Sequence, residues 1–248
     1  MKTAKIGLIG LGRQGEQHAI NLATRIQGCE LAAICDMNEA KLNEVADRYA
    51  IKHRATSFEE LIAIPELDAV AIISPSVFHA KQIGQALAAG KHVFSEKPLG
   101  VTLEECIETE KVVNQYPDRL FMLGFMRRFD ASYRYAKQKI DNGDIGRVVL
   151  FRAYSQDPIK YIKGAIAYGP TSGGQFLDMS VHDIDMARWL VGSEPDEIWA
   201  IGGCYAYPEF GSYKDGDNVS ALMKFKDGAM GFLFADRPAN HGYNIETE

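Results

Sequence analysis

Residues 1–125 alternate short runs that are apolar throughout with segments of helical spacing, and that rhythm constrains the fold more than any other feature of the chain. Strands are predicted at 4–10, 30–36, 53–56, 68–74, 91–95 and 120–125. Helices are predicted at 14–27, at 39–49, from Ser57, from Val77 to Ala89 and from Thr102 to Asn114. Ser57-Phe58-Glu59-Glu60 and Thr102-Leu103-Glu104-Glu105 read as capping boxes, and Gly90 is placed to close the preceding helix in a left-handed turn. A strand that is apolar on both sides must be covered on both sides, and helices between successive strands supply that cover. The prediction is an α/β fold with a doubly wound parallel sheet.

The pattern changes after residue 125. Asp130 is placed to cap a helix that ends at Asn142-Gly143, a strand follows at 147–154, and 156–173 reads as irregular. A single helix is predicted over 174–190, stopped by Gly192. Strands at 197–207, 218–225 and 229–235 follow, the last two joined by the hairpin signal Lys226-Asp227-Gly228. Residues 126–248 therefore form, in expectation, an α+β substrate-binding and oligomerisation domain on a large, mainly antiparallel open sheet. In the last strand Met230, Phe232 and Phe234 alternate with Leu233 and Ala235, so both faces are apolar. One is expected to pack on helices and the other on a second subunit of a homodimer or homotetramer. Residues 244–248 read as a strand breaking off, which predicts a second domain incomplete at this end.

Composition removes several function classes. The net charge is −6, and Arg127-Arg128 is the main basic cluster, which argues against nucleic acid as a partner. No apolar run approaches the ~20 residues that span a bilayer. Met1 to Lys5 lead straight into a strand without a signal-peptide pattern, and Cys29, Cys35, Cys106 and Cys204 are scattered without a C-x-x-C pair. The expectation is a cytoplasmic protein with neither a disulfide framework nor a metal site.

Gly10-Leu11-Gly12-Arg13-Gln14-Gly15 stands at the junction of the first predicted strand and helix. Such a turn lets backbone approach a pyrophosphate, and the helix N-terminus offers its N–H groups to the phosphates. Asp36 ends the second strand, about 20 residues on, where a carboxylate grips the adenine ribose hydroxyls. It would repel a 2′-phosphate, and Met37 offers no cation against it, so NAD is expected over NADP. Arg13 can turn towards a 2′-phosphate or lie over the adenine. A plain glycine turn followed by a capping aspartate would carry the same letters.

Two further stretches carry chemistry. Ser95-Glu96-Lys97-Pro98 falls just past the carboxyl end of a strand, the edge where open α/β sheets bind ligands. A lysine there can hydrogen-bond a reacting hydroxyl, although a solvated loop lysine would look alike. Asp178 and His182 are i and i+4 on the predicted helix, and Asp185 continues that face. A carboxylate beside an imidazole orients it and raises its basicity, which suits a general base taking the hydroxyl proton of an alcohol. An ordinary helix-surface pair has the same spacing.

Taken together and in this order, the glycine turn, Glu96-Lys97-Pro98 and the stretch from Gly173-Gly174 through Asp178 to His182 resemble the glucose–fructose oxidoreductase/inositol dehydrogenase (Gfo/Idh/MocA) family over essentially the whole chain. The resemblance implies Lys97, Asp178 and His182 as the catalytic group, with His182 the acid/base and a cis Lys97–Pro98 bond. It implies that Ser74, Pro75 and His79 form a second cofactor segment, His79 towards the nicotinamide, and that Glu96 joins Lys97 there. Gly124-Phe125-Met126-Arg127-Arg128-Phe129-Asp130 is similar to a segment of inositol dehydrogenases, in which Arg127 would reach vicinal hydroxyls. Asp157 and Tyr161, within a stretch holding Ser155, Lys160 and Lys163, are expected to join Asp178 and His182 around the substrate. The implied activity is NAD-dependent oxidation of a secondary alcohol on a cyclic polyol, first an inositol (myo- or scyllo-) to its inosose. An aldose dehydrogenase and a non-catalytic, dinucleotide-binding sugar sensor are the alternatives.

Overall fold

The computed structural model describes residues 3–248. It divides into two compact units, Met1–Gly124 and Phe125–Glu248. Among the described residues no helix is long and apolar enough to cross a membrane.

The first unit runs β1 (Ala4–Ile9), α1 (Arg13–Thr24), β2 (Cys29–Cys35), α2 (Glu39–Tyr49), β3 (His53–Ala55), α3 (Phe58–Ile62), β4 (Ala69–Ile72), α4 (His79–Ala88), β5 (His92–Ser95), α5 (Leu103–Asn114) and β6 (Phe121–Leu123). The six strands lie in the order β3-β2-β1-β4-β5-β6, and every neighbouring pair is parallel. Alternate residues of the apolar strands serve the two faces. Leu8, Ile34 and Ala71 pack with α1 and α2, whereas Ile9, Cys35, Val70 and Ile72 pack with α3 and α4. Each fully buried aliphatic side chain contributes about 1.5–3 kcal/mol. The strand order reverses between β1 and β4, and ligands of such sheets bind at that crevice, outside the carboxyl ends.

The caps explain where the helices begin. Ser57 accepts the Glu60 N–H and Glu60 returns the bond, a complete capping box. Thr102 accepts the Glu105 N–H, but the Glu105 carboxylate takes the N–H of Val101, one residue earlier than a regular box. The helix expected from Val77 begins as a 3-10 turn, Ser76–Phe78, before α4.

The second unit runs α6 (Ala131–Asp141), β7 (Leu150–Pro158), α7 (Ile162–Tyr168), α8 (Val181–Val191), β8 (Pro195–Gly203), β9 (Asn218–Phe225), β10 (Met230–Ala239) and β11 (Asn244–Thr247). Its five strands lie in the order β11-β7-β10-β9-β8. The sheet is mixed, because β7 and β10 pair parallel while the other neighbours are antiparallel. One face, with Phe151, Ala153, Ala221, Met223, Phe225 and Leu233, packs on Met186, Ala187 and Leu190 of α8. The other presents Trp199, Ile201, Leu222 and Met230 to solvent, beside a cluster of Tyr154, Phe232 and Phe234 rings.

Three expectations change here. The stretch 156–173 is not irregular, since β7 reaches Pro158 and α7 follows. The strand expected to Tyr207 stops at Gly203 because the buried Asp217 carboxylate takes the N–H groups of Tyr205, Ala206 and Tyr207 out of the ladder. The single helix over 174–190 is a π-helical turn, Phe176–Ser180, followed by α8. Gly173 and Gly174 have φ of +80° and +92°, so helix cannot begin there. Gln175 is held from outside, its N–H by Asp215 and its amide by the Ala235 carbonyl, and the wider π turn absorbs the residue left between that anchor and α8.

Candidate active site

In the first unit the β1–α1 turn is shaped by contacts that exclude side chains. A Cβ on Gly10, which has φ +90°, would lie 2.6 Å from the Ile73 carbonyl oxygen, and one on Gly15 only 1.7 Å from that of Gly10. A Cβ on Gly12 would meet nothing within 4 Å. Gly12 is the N-cap of α1, and no side chain caps that helix. The turn is therefore closed behind and open in front of a helix N-terminus, the shape a pyrophosphate requires. Arg13 and Gln14 are exposed, whereas the Leu11 side chain is buried and offers a ligand only its backbone.

Asp36 follows β2 and holds the turn itself. One carboxylate oxygen accepts the Leu11 N–H at 2.7 Å and the other the Asn38 N–H at 2.8 Å. Lone pairs remain on both oxygens for ribose hydroxyls. Its grip on the glycine turn was not evident from spacing. A dinucleotide fits this arrangement: glycine turn, uncapped helix end and carboxylate lie where its phosphates and ribose would be held.

His79 differs from expectation. It is 1% exposed, and its ring nitrogens face the carbonyl oxygens of Pro98 and Ser74, each at 2.8 Å. It ties the Ser74-Pro75 segment to the Lys97-Pro98 segment from beneath and presents no polar atom to a ligand. The Lys97–Pro98 bond is cis. Glu96 accepts the Lys97 N–H at 3.2 Å with one oxygen and pairs with His18 of α1 at 2.8 Å through the other. Burial pushes the Cys35 thiol up to about 12, so it is no nucleophile.

Lys97 lies in the first unit, Asp178 and His182 in the second. Asp178 is in the π turn, so the regular one-turn spacing to His182 does not apply to it, and its carboxylate accepts from Arg237 at 3.2 Å. His182 stands in the first turn of α8, its ring edge-on to Phe125 at 6.4 Å between centroids. Asp185 does not continue a catalytic face. It is buried in a two-pronged ion pair with Arg128, both bonds 2.8 Å.

Arg127 also departs from expectation. It is 6% exposed and donates to Asp183 and, at 3.0 Å, to Ser155, whose hydroxyl in turn bonds Asp183. Burial raises the Asp183 carboxyl above its ordinary range, and Arg127 and Ser155 oppose that shift. Arg127 thus locks α8 to β7, and no substrate hydroxyl meets it as an exposed cation. Asp157 lies two residues beyond Ser155 on the same face of β7, and Tyr161 is half exposed in the turn after it, under the Lys160 ammonium. Sequence reasoning missed Arg237 and Asp183. The signal for Arg237 was available, as a lone cation continuing the buried alternation Leu233, Ala235.

The chain matches two family models and several known proteins. Residues 4–125 match the family described as GFO_IDH_MocA, oxidoreductase family, NAD-binding Rossmann fold, and residues 133–248 match the GFO/IDH/MocA C-terminal domain. The chain is 37% identical over 247 residues to myo-inositol 2-dehydrogenase of Thermotoga maritima, covering 98% of this chain and 72% of that protein. It is 34% identical over 248 residues to scyllo-inositol 2-dehydrogenase (NAD(+)) of Bacillus subtilis, covering 98% and 70%. The crystal structure of scyllo-inositol dehydrogenase from Lactobacillus casei with bound NAD(H) and scyllo-inositol superposes with a TM-score of 0.93 at 46% identity, over 99% of this chain and 73% of that one.

Proposed function

The chain belongs to the GFO/IDH/MocA oxidoreductase family, and on that premise we propose that it oxidises a secondary alcohol of a cyclic polyol, an inositol (myo- or scyllo-) to its inosose, with NAD. The observation that carries this reading is the set Lys97, Asp178 and His182, present in a chain whose glycine turn is shaped for a dinucleotide. When bound, NAD supplies the hydride acceptor. His182 takes the hydroxyl proton as the carbinol C–H is lost, leaving a ketone, and Asp178 is its carboxylate partner. Lys97 hydrogen-bonds the reacting hydroxyl, its backbone held by Glu96 and its neighbour Pro98 by His79. Gly10 to Gly15 hold the pyrophosphate, Asp36 the adenine ribose, and Ser74, Pro75 and Glu96 the nicotinamide half. Asp157 and Tyr161 contact the polyol, and Arg127 supports the site by fixing α8. The protein works in the cytoplasm as a homodimer or homotetramer through the exposed sheet face of Trp199, Ile201, Leu222 and Met230.

The test is NADH formation over a panel of inositols and hexoses. Turnover on myo- or scyllo-inositol is the expected result. Preferential conversion of an aldose to its lactone would make the protein a sugar dehydrogenase, and tight NAD binding without any turnover would make it a sensor. His182→Ala and Lys97→Ala should each lower kcat by about 10²–10⁴-fold while NAD affinity stays near that of the parent. Light scattering that finds a monomer at micromolar concentration would remove the oligomer.

A further inference from the structure

Arg237 follows Leu233 and Ala235 on the face of β10 turned to the helices, and it is 2% exposed. Its Nη1 donates to Asp178 at 3.2 Å, and its Nη2 lies 3.8 Å from the nearer Asp215 oxygen. The guanidinium stands over the Phe210 ring, 5.3 Å from the centroid. Among the described residues neither Nε nor Nη2 finds a hydrogen-bond acceptor. A buried guanidinium with two unfilled donors is an expensive thing to keep in a strand that otherwise buries Leu233 and Ala235. What it does have is a pair of carboxylates, and both belong to the π turn's supports. Asp178 lies in the middle of the turn, while Asp215 accepts the N–H of Gln175, which opens it. The Gln175 amide donates to the Ala235 carbonyl, two residues before Arg237. β10 therefore holds the turn at two points, by one neutral bond at its start and by a cation at Asp178.

We infer that Arg237 is a positioning residue: it aims the Asp178 carboxylate from behind the π turn, touches neither substrate nor cofactor, and acts on turnover only through Asp178. This rests on the reading above that Asp178 belongs to the catalytic group. A buried ion pair that merely stabilises the fold would share the contacts but not the consequence, since its loss would add to any defect at Asp178. A carboxylate released by such a pair and displaced by about 1 Å costs on the order of 10²-fold in rate.

The decisive measurement is a double-mutant cycle in kcat with Arg237→Met, Asp178→Asn and the double variant, alongside NAD affinity and melting temperature. Arg237→Met is expected to lower kcat by roughly 10²-fold with KM for NAD little changed. In the Asp178→Asn background the same change should alter kcat by less than about threefold, because the residue it acts through is already disabled. Additive losses would overturn the positioning role and leave that of Asp178 standing. Parental turnover by Asp178→Asn would remove the catalytic reading and this inference with it. Should Arg237→Met not fold, Arg237→Lys serves the same cycle: it keeps the charge but not the fork, and it too must reduce kcat only where Asp178 is intact.

Discussion

The two units build their functional features from different materials. In the first, the glycine turn, the helix end and the Ser74 and Pro98 carbonyls are all backbone, and the side chains around them (Asp36, His79, Glu96) bond backbone groups. In the second, charged side chains hold one another: Arg127 to Asp183, Arg128 to Asp185, Arg237 to Asp178. The difference teaches what each can tolerate. A backbone site fails when something is added to it, because space is its specification. A side-chain site fails when something is removed, because a buried partner is left charged and alone.

The comparison can be broken at several points. Arg127→Met leaves Asp183 buried without its cation and is expected to destabilise the second unit by about 3–5 kcal/mol, read by urea unfolding, with most of it recovered in an Arg127→Met/Asp183→Asn double variant. Gly15→Ala drives a Cβ to 1.7 Å from a backbone oxygen and should destabilise the first unit by about 3 kcal/mol or more, seen as a lowered melting temperature. Asp217→Asn should remove about 2 kcal/mol, since the carboxylate accepts from three backbone N–H groups and Asn218. Burial alone would raise its pKa, but these bonds outweigh it and hold the carboxyl below the ordinary value of 3.8. A carboxyl whose folded pKa is depressed gives stability that is present above the unfolded value and lost as pH falls through the folded one, so acid unfolding below 3.8 should flatten in Asp217→Asn. Gly12→Ala sharpens the comparison from the other side. Its φ of −64° suits alanine and its Cβ meets nothing, so stability should hold while the Kd for NAD, by fluorescence titration, rises roughly tenfold, about 1.4 kcal/mol. A Gly12→Ala protein with a melting temperature lowered as far as that expected of Gly15→Ala, or a Gly15→Ala protein that melts with the parent, would end the backbone account. Ser57→Ala, which only opens a capping box, should remove about 1 kcal/mol of melting stability.

The first unit was legible nearly element by element. Apolar runs between capped helices leave few arrangements, and the β1–α1 turn announces itself because glycines are demanded at fixed spacing by contacts within a few residues. What escaped there was second-order: that Asp36 grips the turn, and that His79 sits under the loop. In the second unit the existence of the strands and the β9–β10 hairpin could be read from alternation and Lys226-Asp227-Gly228. The π turn, the early end of β8 and the parallel pairing of β7 with β10 could not, because each depends on a partner far along the chain: Asp215 for Gln175, Asp217 for the residues after Gly203.

By itself, then, the order of residues determined the parallel sheet and the place of the dinucleotide turn, since both follow from local periodicity, caps and a short motif whose physics is complete within a turn or two; Lys97, Asp178 and His182 stood out as a group only through the family resemblance. Only the tertiary structure decided what the charges do. Along the chain Arg127 reads as a ligand contact, Arg128 as half of a basic pair and Asp185 as part of a catalytic face, while Asp183 and Arg237 carry no reading; folding buries four of the five nearly completely and pairs each with an opposite charge at a distant position. The physical reason is the cost of desolvation: a charge taken from water must find its counter-charge, and which one it finds is fixed by which strand and helix are packed together.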